Sequence, residues 1–492
     1  MSIAQRAASG AAWNIVTSLG ARVVALVGTL VVTRFLSPGD YGEVMAAVIV
    51  AQTCLTLSQL GIVHYLVVRP SSGPDVAFHV TVYTTVVCAA TLGAALLAHG
   101  PLTSFFGVHE LERYLPWLCL ATMADRIASV PERLLYRDLR FRYVALARAA
   151  GEITFAVASM GLAALGEGGM GIVAASVLRS LLRSTLFVAA IDARAWIRPC
   201  ALRWSTTRAL LAFGLPLSVS CVAGAVATRW DNMITLRCFG ASAMGAYNLA
   251  YSLAEVPVTQ VGEQIGDVLL PSFAQMAPVE RRRALGRATA LLAIVVFPLA
   301  VGLAAVSATL VRVAFDARWA SVAPMLTALA ALAVARPVSY VMTSYLQADA
   351  RVFTVSAIEV AKTALLVALM VLASPFGIMA LCGAVGGAFM FQAAATLWAV
   401  TRDGLSLRRI ALGLAGPLLA TVPMAAAVLA TRSGLAVAGL GSPIFGLALE
   451  IVVGAVVYVG AAFLIAGDTA RDLLSLARAA VARRREADAV PA

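Results

Sequence analysis

The chain of 492 residues is 61% hydrophobic and only 13% charged, with a formal net charge of +12 at pH 7 and a mean hydropathy of +0.90. Soluble domains hold about half apolar and a quarter charged residues, so a soluble enzyme or binding module is excluded, and the length leaves room for well over ten membrane spans of about 20 residues. The arginine surplus does not point to nucleic acid, because no basic segment is interleaved with aromatics or belongs to a soluble module.

Taken in order, apolar runs separated by charged or Gly/Pro turns predict an all-α polytopic membrane protein with about 14 transmembrane helices. The expected spans are 12–33, 43–65, 77–98, 114–130, 144–165, 170–191, 209–236, 241–270, 288–314, 322–347, 352–373, 377–400, 410–430 and 442–466. The N-terminus runs into the first of these without a small-residue cleavage site, so it reads as a retained span and not a removable signal. The connections alternate in basicity. One set carries Arg6, Arg69, the Arg133–Arg142 cluster, Arg194 to Arg208, Arg281 to Arg287, Arg351, Arg402 to Arg409 and the tail from Arg471. The other carries Arg34, Arg113, Arg237, Arg312, Arg318 and Arg432. By the positive-inside rule the basic set and both termini are cytoplasmic, in contact with anionic membrane lipids. The tail over 468–492 has an apolar and a basic helical face and reads as an amphipathic helix on the inner leaflet. The seven cysteines are scattered without CxxC or Cys/His spacing, so no metal or other cofactor is expected.

A weak internal repeat is present. Arg34 to Gly42 and Arg237 to Gly245 both place a glycine eight residues after an arginine, at an outer turn, and the fourth span of each half ends in D-x-R, Asp138-Leu-Arg140 and Asp349-Ala-Arg351. The repeat implies two pseudo-symmetric six-helix lobes, 1–200 and 201–403, followed by two appended transmembrane helices over 404–467. An even span number per lobe makes the repeat parallel, with a site expected at the lobe interface.

The richest stretch is Arg229 to Met276. Two apolar segments meet at a Gly/Ser/Ala turn from Gly240 to Gly245, and each carries charge at membrane depth. Arg229, Asp231 and Asn232 lie about 10 Å inside the first. In the second, Asn248, Tyr251, Ser252, Glu255 and Thr259 share one helical face, with Pro257 placed to bend it. Such groups face a polar cavity or each other; mutually neutralised ion pairs with a structural role are the competing reading.

Several segments match a known family. T-R-F-L-S-P-G-D-Y-G at 33–42, G-A-Y-N-L-A-Y-S-L-A-E-V-P at 245–257, L-P-S-F-A-Q-M at 270–276 and F-D-A-R-W-A-S-V-A-P-M-L at 315–326 resemble the polysaccharide-transport branch, which includes the Wzx-type O-antigen and colanic-acid flippases, of the multidrug/oligosaccharidyl-lipid/polysaccharide exporter superfamily. The likeness runs from about residue 8 to 400. It implies a transporter, not an enzyme, that moves undecaprenyl-diphosphate-linked oligosaccharide from the cytoplasmic to the periplasmic leaflet of the inner membrane by alternating access. It further implies coupling to H+ or Na+, and polysaccharide polymerase and chain-length proteins as partners.

The intramembrane charges agree with such a cargo. Eight basic residues fall within spans: Arg22, Arg126, Arg148, Arg179, Arg183, Arg229, Arg336 and Lys362. Guanidinium groups bind diphosphates through paired, charge-assisted hydrogen bonds. Arg148 with Glu152, and Glu359 with Lys362, are spaced to neutralise each other along one helix, and Asp125 beside Arg126 near a cytoplasmic end suits snorkelling. Arg179, Arg183, Arg22 and Arg336 have no acid one turn away. These four with Arg229 are the expected anion contacts, assisted by Asn232, Asn248 and Tyr251, while Asp231, Glu255, Glu359 and Lys362 are the ion-coupling candidates.

Three alternatives stay open. A multidrug cation antiporter of the same superfamily needs an acidic, aromatic cavity. A flippase for lipid-linked peptidoglycan precursors shares the cargo chemistry. A membrane polysaccharide polymerase or ligase needs a large outer loop with acid/base residues, whereas the longest one here, from His99 to Tyr114, carries no such constellation.

Overall fold

The computed structural model describes residues 28–68, 73–138, 140–349, 351–402, 407–438 and 442–475. Expected site residue Arg22 and the tail beyond 475 lie outside the described residues, as do the side chains of Pro257 and Thr259. Thirteen principal helices follow in order: α1 Pro38–Leu57, α2 Pro74–Leu97, α3 Leu111–Arg137, α4 Phe141–Ala164, α5 Gly168–Ala189, α6 Trp204–Gln275, α7 Pro278–Ala314, α8 Val322–Leu332, α9 Arg336–Ala348, α10 Val352–Ala373, α11 Ile378–Thr401, α12 Leu407–Ala438 and α13 Pro443–Ile465. Among the described residues, nine helices are long and apolar enough to cross a membrane. The chain is an all-α, multi-pass membrane protein, as its hydropathy implies.

Local chemistry sets the helix ends. Ser37 caps α1: its hydroxyl accepts from the Asp40 N–H at 3.2 Å and donates to the Asp40 carboxylate at 2.7 Å, and Pro38 occupies the first turn, where a missing N–H costs nothing. The long helix α6 breaks at Gly240, whose φ of +82° suits a residue without Cβ. The expected turn over Gly240–Gly245 is thus compressed into one residue, and helix resumes at once. Close beside it, a Cβ on Gly42 would lie 2.0 Å from the Ala241 carbonyl oxygen, and one on Gly245 would lie 2.1 Å from that of Pro38. The two glycines of the sequence repeat therefore let α1 and α6 meet backbone to backbone.

The D-x-R corners also match. After α3, the Asp138 and Arg140 N–H groups donate to the Leu134 and Leu135 carbonyls, both at 2.9 Å; after α9, those of Asp349 and Arg351 donate to Tyr345 and Leu346 at 3.0 and 2.9 Å. Arg140 has φ −84°, ψ 45° and Arg351 has φ −87°, ψ 45°. Each arginine then donates to a carbonyl near the end of another helix, Arg140 to Ala190 at 3.0 Å and Arg351 to Ala399 at 3.1 Å, where a cation offsets the unpaired C-terminal carbonyls.

Packing divides the chain into two compact units, with the boundary in sequence between Ala246 and Tyr247. In the first, α3, α4 and α5 pack against one another, with α1 and α2 on α3; Ile62, Leu66, Val80, Leu134 and Trp196 form one of its cores. In the second, α8, α9 and α10 lie on α11, while α7 joins α8 and α9 to the α12–α13 pair, around a core that includes Phe273, Leu292, Val296, Tyr345 and Val400.

Two elements differ from expectation in detail. The span expected over 322–347 is interrupted: a 3-10 turn at Ala333–Ala335 separates α8 from α9. Pro337 explains it, since it can neither donate to the carbonyl of Ala333 nor fit its ring beside it. Arg432, expected in an outer turn, lies within α12, which continues to Ala438.

Candidate functional site

The break between α8 and α9 puts Arg336 at the first position of α9, inside an otherwise apolar span. The residue is 7% exposed. Nη1 donates to the Glu255 carboxylate and Nη2 to the Tyr251 hydroxyl, both at 2.9 Å. Glu255 and Tyr251 stand one turn apart on α6, on the polar face read from the sequence. The guanidinium also lies 3.9 Å from the ring centre of Phe389 on α11 and 5.4 Å from that of Tyr251, a cation–π arrangement that offsets part of its desolvation. Among the described residues its Nε is buried without an acceptor. Three of the predicted site residues, Arg336, Tyr251 and Glu255, thus meet; Asn248 lies one turn before Tyr251, half-buried.

Gly386 explains how α11 approaches this closely. A Cβ there would fall 2.3 Å from Leu332 Cδ1, so only glycine lets the α11 backbone rest on α8 and bring Phe389 over Arg336. A small cavity of about 10 Å³ opens beside the cluster, lined by Tyr251, Glu255, Leu332, Arg336, Gly386 and Phe389. That is room for about one water molecule. Beyond Phe389, the Lys362 ammonium lies 5.5 Å from the ring centre and pairs with Glu359, whose other oxygen accepts from Gln392 Nε2 at 2.8 Å. Lys362 is 5% exposed. Two buried cations of the second unit, each with an acid, therefore lie near one aromatic side chain.

In the first unit the expected lone arginines have acids on other helices. Arg183 on α5 meets Asp125 on α3 at 2.7 Å, and Ser180 donates to the same carboxylate at 3.0 Å. Arg179 lies 3.8 Å from Glu152 on α4 and 4.9 Å from the ring centre of Phe155. Arg148, expected to pair with Glu152 along α4, instead meets Glu132 on α3 at 2.7 Å. Arg126 turns away from Asp125 and donates to the Leu55 carbonyl at 2.5 Å. The physical reason is common to Arg183, Arg179 and Arg148: α3, α4 and α5 pack closely enough for short acids on one to reach arginines on the next, and spacing along one helix does not encode that. The pairing expected for Glu359 and Lys362 is present.

Arg229, on α6 before Gly240, donates to the Gln52 side chain at 3.5 Å, and among the described residues no carboxylate reaches it within ion-pair distance. Asp231 and Asn232 are 2% and 3% exposed; the Asp231 carboxylate accepts from both the backbone and side-chain nitrogens of Asn232, at 2.8 and 2.9 Å.

Two participants lie outside the expected set. Phe389 is an aromatic residue in an apolar span, and only its position over Arg336 distinguishes it. Glu450 on α13 is 1% exposed and accepts from Thr309 on α7 at 2.8 Å and from Arg432 on α12 at 3.2 Å. As an isolated acid it was a visible clue.

Comparison with known proteins follows the same lines. Residues 31–324 match the family described as "Polysaccharide biosynthesis protein". The chain is 24% identical over 376 residues to the lipopolysaccharide biosynthesis protein WzxC of Escherichia coli (strain K12), covering 75% of each chain. It is 26% identical over 324 residues to the succinoglycan biosynthesis transport protein ExoT of Rhizobium meliloti (strain 1021), covering 65% of this chain and 64% of that one. In fold it is similar to a lipid II flippase, MurJ, in an inward closed conformation, with a TM-score of 0.77 at 13% identity over 92% of this chain and 98% of the other. An inward-facing MATE-family multidrug transporter follows, with a TM-score of 0.61 at 15% identity over 77% and 94%.

Proposed function

We propose that this chain, which belongs to the polysaccharide biosynthesis protein family, is a flippase that carries oligosaccharide on a polyprenyl diphosphate across the membrane. It is a transporter and not an enzyme. The relatives whose names speak of lipopolysaccharide and succinoglycan biosynthesis support a surface-polysaccharide cargo, and the fold shared with a lipid II flippase supports a lipid-linked one. The protein sits in the inner membrane with both termini cytoplasmic, as the arginine bias of the loops favours. Polymerase and chain-length proteins would receive the product on the periplasmic side.

The observation that carries this reading is Arg336: a guanidinium more than nine-tenths buried, at a mid-span helix break, with Nε unsatisfied among the described residues. Broken helices with backbone and charge turned to an interior site are how transporters hold charged cargo at membrane depth. The break adds the positive end of α9 to the guanidinium. Arg22, Arg179, Arg183 and Arg229, with Asn232, Asn248 and Tyr251, are the further contacts proposed for the diphosphate and its sugar, and Asp231, Glu255, Glu359 and Lys362 those proposed for H+ or Na+ coupling. An anionic cargo suits this excess of guanidinium; an organic cation does not.

The test is surface glycan assembly in a strain dependent on this gene. Losing one charge-assisted hydrogen bond costs about 1.5–3 kcal/mol, roughly ten- to a hundredfold in affinity. Arg336→Ala at normal membrane level should cut surface glycan at least tenfold while lipid-linked oligosaccharide accumulates inside. Arg336→Lys should recover only part of the loss, because an ammonium cannot make the planar fork. Normal export by well-expressed alanine variants at all five arginines would refute the reading.

A further inference from the structure

We propose that the groove between α7, α12 and α13 holds one phospholipid with an anionic headgroup, its phosphate on Arg312 and Arg432 and an acyl chain in the groove. The site lies within the second unit, does not involve Arg336, and does not depend on the flippase reading.

The groove has a volume of about 450 Å³, within the roughly 300–1,000 Å³ common for small-molecule and cofactor sites. Gly302 and Val306 on α7, Met424 and Val428 on α12, and Gly454 and Val459 on α13 line it. A Cβ on Gly302 would meet only the tip of Met424, at 3.7 Å, so this glycine leaves open a space that a side chain would fill. The polar side chains of the lining, Tyr458 and Glu450, are both spent within the protein. The Tyr458 hydroxyl donates to the Ile294 carbonyl at 2.8 Å, and the Glu450 carboxylate holds Thr309 and Arg432. What the groove offers an occupant is therefore hydrocarbon. Leu299, Ile451 and Val459, which also line it, are 40%, 53% and 54% exposed. They lie in helices apolar enough to cross a membrane, so the chains of the bilayer itself reach the groove. From Glu450 to Val459 it follows α13 for about 14 Å at 1.5 Å per residue, close to half of a hydrocarbon core about 30 Å thick. One acyl chain of one leaflet spans that distance.

Charge gathers at the end of the groove where α7 ends and α13 begins. Thr309 Oγ1 donates to Glu450 at 2.8 Å and accepts from Arg432 Nε at 3.1 Å and Arg312 Nη2 at 3.5 Å. Two guanidiniums thus converge on one hydroxyl that is backed by a single carboxylate. Arg432 is paired with that carboxylate at 3.2 Å. Arg312 has no acid within ion-pair distance among the described residues, and its Nε donates to the Ala308 carbonyl of its own helix at 3.3 Å. Glu450 is 1% exposed, whereas Arg312 is exposed, so a second anion can join the cluster only from the headgroup side. A phosphodiester brings the one negative charge that balances it, and guanidinium groups bind phosphate oxygens through paired, charge-assisted hydrogen bonds. An apolar groove one leaflet deep with a surplus cation at its end is the complement of a phospholipid standing in that leaflet. On the arginine-bias reading of the loops this is the periplasmic leaflet. The bound lipid would join α12 and α13 to α7 beside the tie made by Glu450.

The experiment is lipid titration of the purified full-length protein in detergent. Dioleoyl phosphatidylglycerol is added, and the melting temperature and the lipid retained per chain, by native mass spectrometry, are read together. The wild type should retain one phosphatidylglycerol, melt several degrees higher with it, and bind it at least tenfold more tightly than phosphatidylcholine, whose choline cation opposes the arginines. Arg312→Ala, a change at an exposed side chain, should lose that preference, its affinity for phosphatidylglycerol falling about tenfold. Ala455→Phe, which fills the groove from an exposed position on its lining, should retain neither lipid. An Arg312→Ala protein that binds phosphatidylglycerol like the wild type overturns the proposal, and this comparison decides it even if Ala455→Phe fails to fold. Equal stabilisation by inorganic phosphate alone overturns it too, since the groove would then hold no chain. Undecaprenyl phosphate that displaces phosphatidylglycerol at lower concentration, in an Arg312-dependent way, would make the groove a subsite for the cargo and overturn the phospholipid assignment.

Discussion

Replacing Glu450 by alanine should loosen the appended helix pair from the rest of its unit. Glu450 is 1% exposed and holds three donors from two other helices: Thr309 Oγ1 on α7 at 2.8 Å and Arg432 Nε and Nη2 on α12, both at 3.2 Å. Arg432 also reaches the Ala305 carbonyl on α7. One acid on α13 thus ties α12 and α13 to α7. Breaking a buried ion pair by removing one partner costs about 3–5 kcal/mol, because the survivor stays buried without its counter-charge. Arg432 keeps 24% of its side chain exposed and can partly snorkel out, which places the loss at the lower end, about 3 kcal/mol. Thr309→Val, which deletes one donor to Glu450 and one acceptor of Arg432 Nε at 3.1 Å but leaves the ion pair, should cost less, about 2 kcal/mol. The assay is thermal unfolding of the purified protein, read alongside accessibility of cysteines placed on α13. Glu450→Ala should melt several degrees lower, with α13 exposed before the remainder unfolds. The double change Arg432→Met with Glu450→Met should restore most of the loss, since apolar replacement of a whole pair is nearly neutral. A Glu450→Ala protein that melts like the wild type, or a double variant worse than the single, would refute the reasoning.

Other outcomes follow from the same geometry. Gly245→Val should abolish stable insertion, read as protein level in the membrane, because its Cβ would sit 2.1 Å from the Pro38 carbonyl oxygen; Gly240→Ala has open space and should lose only the backbone strain of its φ of +82° and ψ of 175°, about 1–3 kcal/mol. Asp125→Asn, which leaves Arg183 without the acid now 2.7 Å away, should destabilise by about 2–3 kcal/mol in a detergent melt. Reporter fusions after Arg283 and Arg409 should score as cytoplasmic and fusions near Gly240 and Arg432 as periplasmic. The reverse result at either basic loop would overturn the proposed sidedness.

Hydropathy carried the helices well, because membrane spans need about 20 apolar residues and their interruptions are charged. The α4, α10 and α11 limits fall within three residues of the expected spans. Pairs of short motifs also read correctly: the D-x-R corners repeat in geometry, and the two repeat glycines touch. The charges read less well. Spacing along one helix identifies partners only when they lie on it, as Glu359 and Lys362 do, and it misdirected Arg148, Arg179 and Arg183, whose acids come from neighbouring helices. Phe389 could not be found by any such rule, since an apolar residue in an apolar span looks the same whether it faces lipid or a guanidinium.

The central claim is that the chain moves a lipid-linked diphosphate glycan across a membrane. Reconstitution tests it directly: purified protein in liposomes carrying undecaprenyl-diphosphate oligosaccharide on one leaflet, with appearance on the other read by a membrane-impermeant glycosidase. The account predicts transfer by the wild type, and at least tenfold less by Arg336→Ala. Wild-type liposomes that translocate no more glycan than empty ones, with folded protein present in the bilayer, would contradict it.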